Sequence, residues 1–309
     1  MSELGKMFGA GDVETFLGWP KATIADLGGA RIALFGAATA TPYATVGAYC
    51  AGGPAAIRAG AAPYAANAAH FNFDLGGPIL PDGVTVADCG DLAVPRDGGA
   101  QAREAIADAV RQVRAQGAVP VLMGGDDSVP IPFLKGFGDE AVNIVQVDAH
   151  IDWRDAVMGE PLGLSSTMRR ASEMAHVGAI SQIGQRGLGS ARLSDVADAE
   201  AYGVRFVSAG ALHRAGRNAY LDALPDGPSV LVFDVDAFDP GLMPAAIGRT
   251  AGGLRFEQAL QIVEDMAARG PIVGVTLAEF MPERDIDGQG ALLVSQFLTA
   301  VIGVIARQV

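Results

Sequence analysis

Eight short apolar runs rich in Val and Ile recur along the chain, and each gives way to Gly, Asp or Pro: RIALFGA, VTVADCGDL, VPVLMGGD, NIVQVDAH, ISQIGQRG, VRFVSAG, SVLVFDVDAFDP and IVGVTLAEFMP. Runs of this length without polar alternation read as strands buried on both faces. Between them lie helical stretches. AQAREAIADAVRQVRAQG sets Ala105, Ala109, Val110 and Val113 on one stripe and stops at Gly117, and RFEQALQIVEDMAARG repeats the pattern up to Gly270. Strand alternating with helix predicts a single three-layer α/β domain whose mainly parallel central sheet is flanked by helices. A chain of 309 residues can enclose one large core. No stretch resembles a linker, so one domain is expected over 1–309, with 1–15 as an N-terminal extension.

Open α/β sheets collect ligands at the carboxyl ends of their strands. The polar residues that end the runs are Asp126 and Asp127 after VPVLM, Asp148, His150 and Asp152 after NIVQV, Asp234 and Asp236 after LVF, and Glu279 after IVGVTLA. Four strand ends thus offer carboxylates to one rim, and so many anions share a crevice only if cations neutralise them. If the backbone stays extended, alternate residues point the same way, so Asp148, His150 and Asp152 would converge, as would Asp234 and Asp236. Oxygen donors with one imidazole suit Mn²⁺ first and Ni²⁺ second, rather than a structural zinc. Bridging carboxylates can hold two such ions around a shared hydroxide, with Asp127 among the ligands.

Composition removes several function classes. With 22 Lys and Arg against 35 Asp and Glu, the net charge is −13, which opposes nucleic-acid binding and suits cationic partners. The apolar windows are interrupted by Gly, Pro or charge, and the amino end lacks the pattern of a signal peptide, so no membrane association and a cytoplasmic location are expected. Cys50 and Cys89 form no CxxC pattern and read as reduced thiols.

Three motifs carry a family resemblance: Gly124-Gly125-Asp126-Asp127-Ser128, Asp148-Ala149-His150-Ile151-Asp152, and Asp234-Val235-Asp236-Ala237-Phe238-Asp239-Pro240. In this order they resemble GGDHS, DAHxD and DVDxxDP of the ureohydrolases, the arginases, agmatinases and guanidinobutyrases. GGPAAIR, Gly252-Gly253-Leu254 and Glu279 are similar to further family positions. The resemblance implies that Asp148 and Asp234 bridge two divalent ions, that Asp127 and Asp152 complete one shell, and that His150 and Asp236 complete the other. It implies hydrolysis of agmatine, guanidinobutyrate or another substituted guanidine or biguanide to urea and an amine by a bridging hydroxide. Asp152 would steer that hydroxide and Glu279 would pair with the guanidinium. It also implies a homo-oligomer, trimer or hexamer, with Arg186 in structure or subunit contacts.

Two positions depart from the family pattern. Asp127 stands where GGDHS has His, and Leu164, Ser165 and Ser166 occupy the neighbourhood of a His that serves proton transfer in the family. Ser166 is left there to position a water. A second reading follows from these changes: a weakly active or inactive subunit that supports an active partner in a hetero-oligomer. Trp153 reads either as core packing or as a stacking surface for a guanidinium or N-alkyl group. Asp126 reads as a structural residue bonded to backbone amides, and His70, His176 and His213 as structural or surface residues.

Overall fold

The computed structural model of the protein describes residues 13–41, 43, 45–188 and 191–309. Each apolar run forms a strand: β1 (Ile32–Gly36), β2 (Val86–Asp91), β3 (Val119–Met123), β4 (Val142–Val147), β5 (Val177–Ile183), β6 (Arg205–Val207), β7 (Ser229–Asp234) and β8 (Ile272–Ala278). They form one sheet in the order β2-β1-β3-β8-β7-β4-β5-β6. Every pairing in it is parallel, so the expected mainly parallel sheet is parallel throughout.

Successive strand side chains feed two separate cores, one on each face of the sheet. Ile32, Leu34, Val121, Met123, Val145, Val147, Leu231 and Phe233 enter one core, while Ala33, Phe35, Leu122, Ile144, Val230 and Val232 enter the other. On the first face lie α1 (Gly53–Ala61), α7 (Phe256–Arg269) and α8 (Gln289–Ala306). The second is covered by α2 (Gly99–Ala115), α3 (Pro130–Lys135) and α4 (Thr167–Ser172), with part of α5 (Leu193–Tyr202). The short α6 (Ala209–Ala215) follows β6. In α2 the buried stripe centres on Ala102, Ile106, Ala109, Val110 and Val113, and Ala105 lies at its half-buried margin.

One expectation is corrected. The apolar runs were read as broken well short of a membrane span, yet α8 is an 18-residue helix of mean hydropathy 1.8. Its length and composition would cross a bilayer, but 78% of it is buried inside the fold, where it packs on α1 and α7. It is hydrophobic nearly all round because the protein surrounds it. Of the expected N-terminal extension, residues 1–12 lie outside the described residues. Phe16 is already in the core, its amide bonded to Asp88 Oδ2 at 2.8 Å.

The strand order places the site. β3, β8, β7 and β4 are consecutive neighbours, and Met123, Leu277, Phe233 and Val147 lie in register across them. At roughly 4.8 Å per strand this row spans about 14 Å. Asp148 and Asp234 each follow their row residue directly, and Glu279 lies two residues beyond Leu277. Behind the β7 end, Phe297 of α8 packs at 4.4 Å between centroids on Phe233 and 5.4 Å on Phe238, with Phe256 of α7 at 6.2 Å. Phe297→Ala should therefore cost about 3–5 kcal/mol by cavity formation, measured as a fall in the denaturant midpoint. A loss under about 1 kcal/mol would show that this aromatic cluster does not anchor the strand end.

Candidate metal centre

Each strand delivers its acidic residues through a turn. After β3 the chain passes through Gly124 and Gly125, where a Cβ on Gly125 would run into the carbonyl oxygen of Thr39. Asp126 then folds back: Oδ2 accepts from the Thr41 amide at 2.6 Å, and Oδ1 accepts from the Ser128 hydroxyl at 2.6 Å and amide at 3.2 Å. Its carboxylate is thereby committed to the backbone, as its sequence context indicates. Asp127 differs. Its amide donates to Glu279 Oε1 at 2.9 Å, but both of its carboxylate oxygens are buried without a hydrogen-bond partner.

The alternation expected after β4 and β7 does not occur, because neither segment stays extended. β4 ends at Val147, and Asp148 Oδ1 accepts from the amide of His150 at 2.6 Å, which turns the chain. Asp152 then adopts a left-handed backbone, φ +50. Beyond β7 a single 3-10 turn, Val235–Ala237, forms while Asp234 Oδ1 accepts from the Asp236 amide at 2.7 Å. The carboxylates converge through these Asp-capped turns rather than through strand periodicity.

Two constellations result, Asp148 with His150 and Asp236, and Asp127 with Asp148 and Asp152. In each, the potential ligand atoms lie within 4.8 Å of one another, and Asp148 belongs to both. His150 Nδ1 stands 3.1 Å from Asp236 Oδ2 and 3.4 Å from Asp148 Oδ1. Asp234 and Glu279 complete the floor of a cavity of about 150 Å³ whose walls include Leu164, Ser165, Ile247 and Gly248. Gly248 must lack a side chain, since a Cβ would sit 2.7 Å from both Asp236 Oδ2 and His150 Cε1.

Burial opposes charge throughout this cluster. It is the leading cause that raises Asp127, Asp152 and Asp234 well above the ordinary carboxylate range; next come Asp152 for Asp127, Asp148 for Asp152 and Asp236 for Asp234. Glu279 is pushed up to about 8 by burial and then by Asp126. Burial works against the His150 cation, yet hydrogen bonds to Asp148 and then Asp236 carry it up to about 12. His150 is the only basic side chain lining the cavity among the described residues. Arg186 bonds none of these acids: its guanidinium donates to the backbone carbonyls of Gly184, Asp236, Phe238 and Thr250, and its charge reaches Asp236 and Asp148 only through space.

Of the two readings of Trp153, the structure shows core packing: its ring is 3% exposed, packs on Tyr202 and bonds Gln182, away from the cavity wall, so it is not a substrate contact. The Ser166 hydroxyl is buried without a protein partner, and its neighbour Ser165 lines the cavity. Leu164 does face the cavity.

Sequence reasoning did not find Tyr49. Its hydroxyl lies 2.7 and 3.0 Å from the two Glu279 oxygens, and burial followed by the Glu279 charge raises its pKa, so it serves as a donor. Glu279 itself has a left-handed backbone, φ +69. The only pointer in sequence is that Tyr49 lies just before GGPAAIR, 230 positions from its partner.

The model of the Arginase family matches residues 30–303. The chain belongs to the arginase family. Over 238 residues it is 29% identical to the guanidinobutyrase of Pseudomonas aeruginosa, covering 73% of this chain and 74% of that protein. It is 31% identical to the guanidinopropionase of the same species over 235 residues, 73% of each chain. In fold it is similar to the proclavaminate amidino hydrolase of Streptomyces clavuligerus, with a TM-score of 0.85, 21% identity, and coverage of 96% of this chain and 98% of that one. Its named relatives are hydrolases of the ureohydrolase type, and so is this arginase-family chain.

The residues present fit a divalent cation. The buried, unpartnered oxygens of Asp127 have no protein donor to compensate them, and the neighbouring donors are hard oxygens with one imidazole. Gly248→Ala should accordingly displace Asp236 and His150 and lower bound metal by at least about tenfold at limiting metal, in line with the loss of a supporting contact in a metal site. Elemental analysis checks it, and wild-type metal content in a folded Gly248→Ala protein would remove this cradle from the account.

Proposed function

We propose that this arginase-family hydrolase cleaves a substituted guanidine to urea and an amine at a pair of divalent cations, Mn²⁺ in preference to Ni²⁺. The observation that carries the reading is the pair of ligand constellations sharing Asp148, with both Asp127 oxygens buried and unpartnered. Asp127 and Asp152 would hold one ion with Asp148, and His150 and Asp236 the other; Asp234, which belongs to neither constellation, lines the same cavity and would add a carboxylate to it. When bound, such a pair supplies Lewis acidity and an acidified water near neutral pH.

The chain's own residues supply orientation and proton handling. Glu279, held by Tyr49 and the Asp127 amide, receives guanidinium N–H groups in charge-assisted hydrogen bonds. Asp152 Oδ1, the oxygen not engaged by Gln146, accepts a proton from the attacking water and returns it to the departing nitrogen. One water adds, the carbon–nitrogen bond breaks, and the second water proton, carried by the oxygen until the carbonyl of urea forms, passes to the released amine, so that urea leaves with a protonated amine. Leu164 and Ile247 give the substituent an apolar passage. Among the described residues that line the cavity there is no Lys or Arg, which supports a cationic or alkyl substituent, as in agmatine or an alkylguanidine, over a carboxylate. The complete set of cavity-facing carboxylates supports an enzyme over an idle partner subunit.

Glu279→Gln removes the charge that meets the guanidinium and keeps the side chain's shape. Its kcat/KM for urea release should fall by about 10–100-fold, since a hydrogen bond to a charged group contributes about 1.5–3 kcal/mol, and chelation should abolish release in wild type. A panel of agmatine, alkylguanidines, biguanides and guanidinobutyrate with Mn²⁺ or Ni²⁺ tests the reading. Absence of urea from every member under both ions would overturn it. The reading also includes a homo-oligomer, for which Phe71 and Phe73, exposed and packed edge to face, offer an apolar surface. Light scattering at micromolar concentration should give a trimer or hexamer, and a monomer would contradict this.

A further inference from the structure

Gln146 and Gln182 face each other in register on β4 and β5, and both are fully buried inside otherwise apolar runs. Buried amides in such strands are costly unless every polar atom is engaged. Here their bonds run in one direction. The indole Nε1–H of Trp153 donates to Gln182 Oε1 at 3.0 Å. Gln182 Nε2 donates to the Ile151 carbonyl at 2.9 Å and to Gln146 Oε1. Gln146 Nε2 then donates to Asp148 Oδ2 at 2.8 Å and to Asp152 Oδ2 at 2.7 Å.

The polarity of this chain is fixed at its far end. An indole N–H can only donate and a backbone carbonyl can only accept, so Gln182 has one permitted amide orientation. That orientation imposes the next: Gln146 must turn its NH₂ group toward the two carboxylates. If Gln146 flipped, its carbonyl oxygen would face two anions and its NH₂ would face another NH₂.

We propose that Trp153, Gln182 and Gln146 form a positioning relay that locks one oxygen each of Asp148 and Asp152 and thereby sets the cation affinity of the Asp127, Asp148 and Asp152 constellation. This rests on the reading of that constellation as a cation site. The relay gives Trp153 a role one bond network removed from the substrate, and it selects Gln146 and Gln182, which belong to none of the three motifs. Outside the relay itself, the two glutamines serve only the two carboxylates and the backbone of the loop between them.

The test uses the full-length protein and three variants: Gln146→Met and Gln182→Met, which keep volume, and Trp153→Phe, which keeps a ring against Tyr202 and removes the N–H. Each is stripped by chelator and titrated with Mn²⁺ alone, with affinity read by chelator competition and ligand symmetry by the Mn²⁺ electron paramagnetic resonance spectrum. Denaturant unfolding of the stripped proteins monitors the fold. Gln146→Met should weaken Mn²⁺ binding by about 10–100-fold, as loss of an outer partner to a ligand does. Gln182→Met and Trp153→Phe should follow in the same direction by decreasing amounts, with broadened spectra and folding intact. Should Gln146→Met fail to fold, the other two variants decide. Affinities within about twofold of wild type and unchanged spectra in the folded variants would overturn the relay. Wild type that binds no Mn²⁺ would overturn the cation reading beneath it, and the wild-type titration tells the two failures apart.

Discussion

Five aspartates and a glutamate, each no more than 5% exposed, share the carboxyl-terminal crevice of four adjacent parallel strands with one imidazole and no free guanidinium or ammonium group among the described lining residues. Asp148, Asp234 and Asp236 relieve part of that charge with backbone amides. Asp127 cannot, because no donor reaches it. Uncompensated burial of charge is among the most expensive arrangements a fold can hold, and it organises much of what surrounds it. Asp-capped turns, two left-handed acidic residues and a glycine where a side chain would intrude all serve to bring anions together, against their mutual repulsion.

The strands were legible in sequence because parallel strands covered on both faces carry continuous apolar runs, and NIVQV or SVLVF stands out against its surroundings. The acidic strand ends could be read for the same reason, as the abrupt end of such a run. The order of strands could not be, since an apolar run does not encode which neighbour it pairs with. Only the structure shows that the ends bearing Asp127, Glu279, Asp234 and Asp148 are consecutive. The mechanism of convergence was misread in turn: side-chain alternation is a property of extended backbone, and Asp148 and Asp234 end their strands by bonding the amide two residues on.

The supporting residues were the least visible. Trp153 was noticed for its ring, whereas its structural consequence lies in one N–H. Gln146 and Gln182 sit inside apolar runs where a lone polar residue reads as an imperfection, and Tyr49 reaches Glu279 across 230 positions of the chain. Contacts of such long sequence separation leave no local pattern. The motifs, by contrast, concentrate ligands within a few residues because tight turns require it.

The middle of the sheet is made last. β3 and β4 are separated by β8 and β7, the last two strands in the sequence, so a chain that ends before Ser229 lacks the strands that join β2-β1-β3 to β4-β5-β6. Asp127 and Asp148 already exist at that stage, but nothing fixes the distance between them. The final two strands in the sequence fill the middle of the sheet and carry Asp234, Asp236 and Glu279 at their ends. The same two strands therefore complete both the middle of the hydrogen-bonded ladder and the acidic cavity, while β2 and β6 remain the outer edges of the sheet.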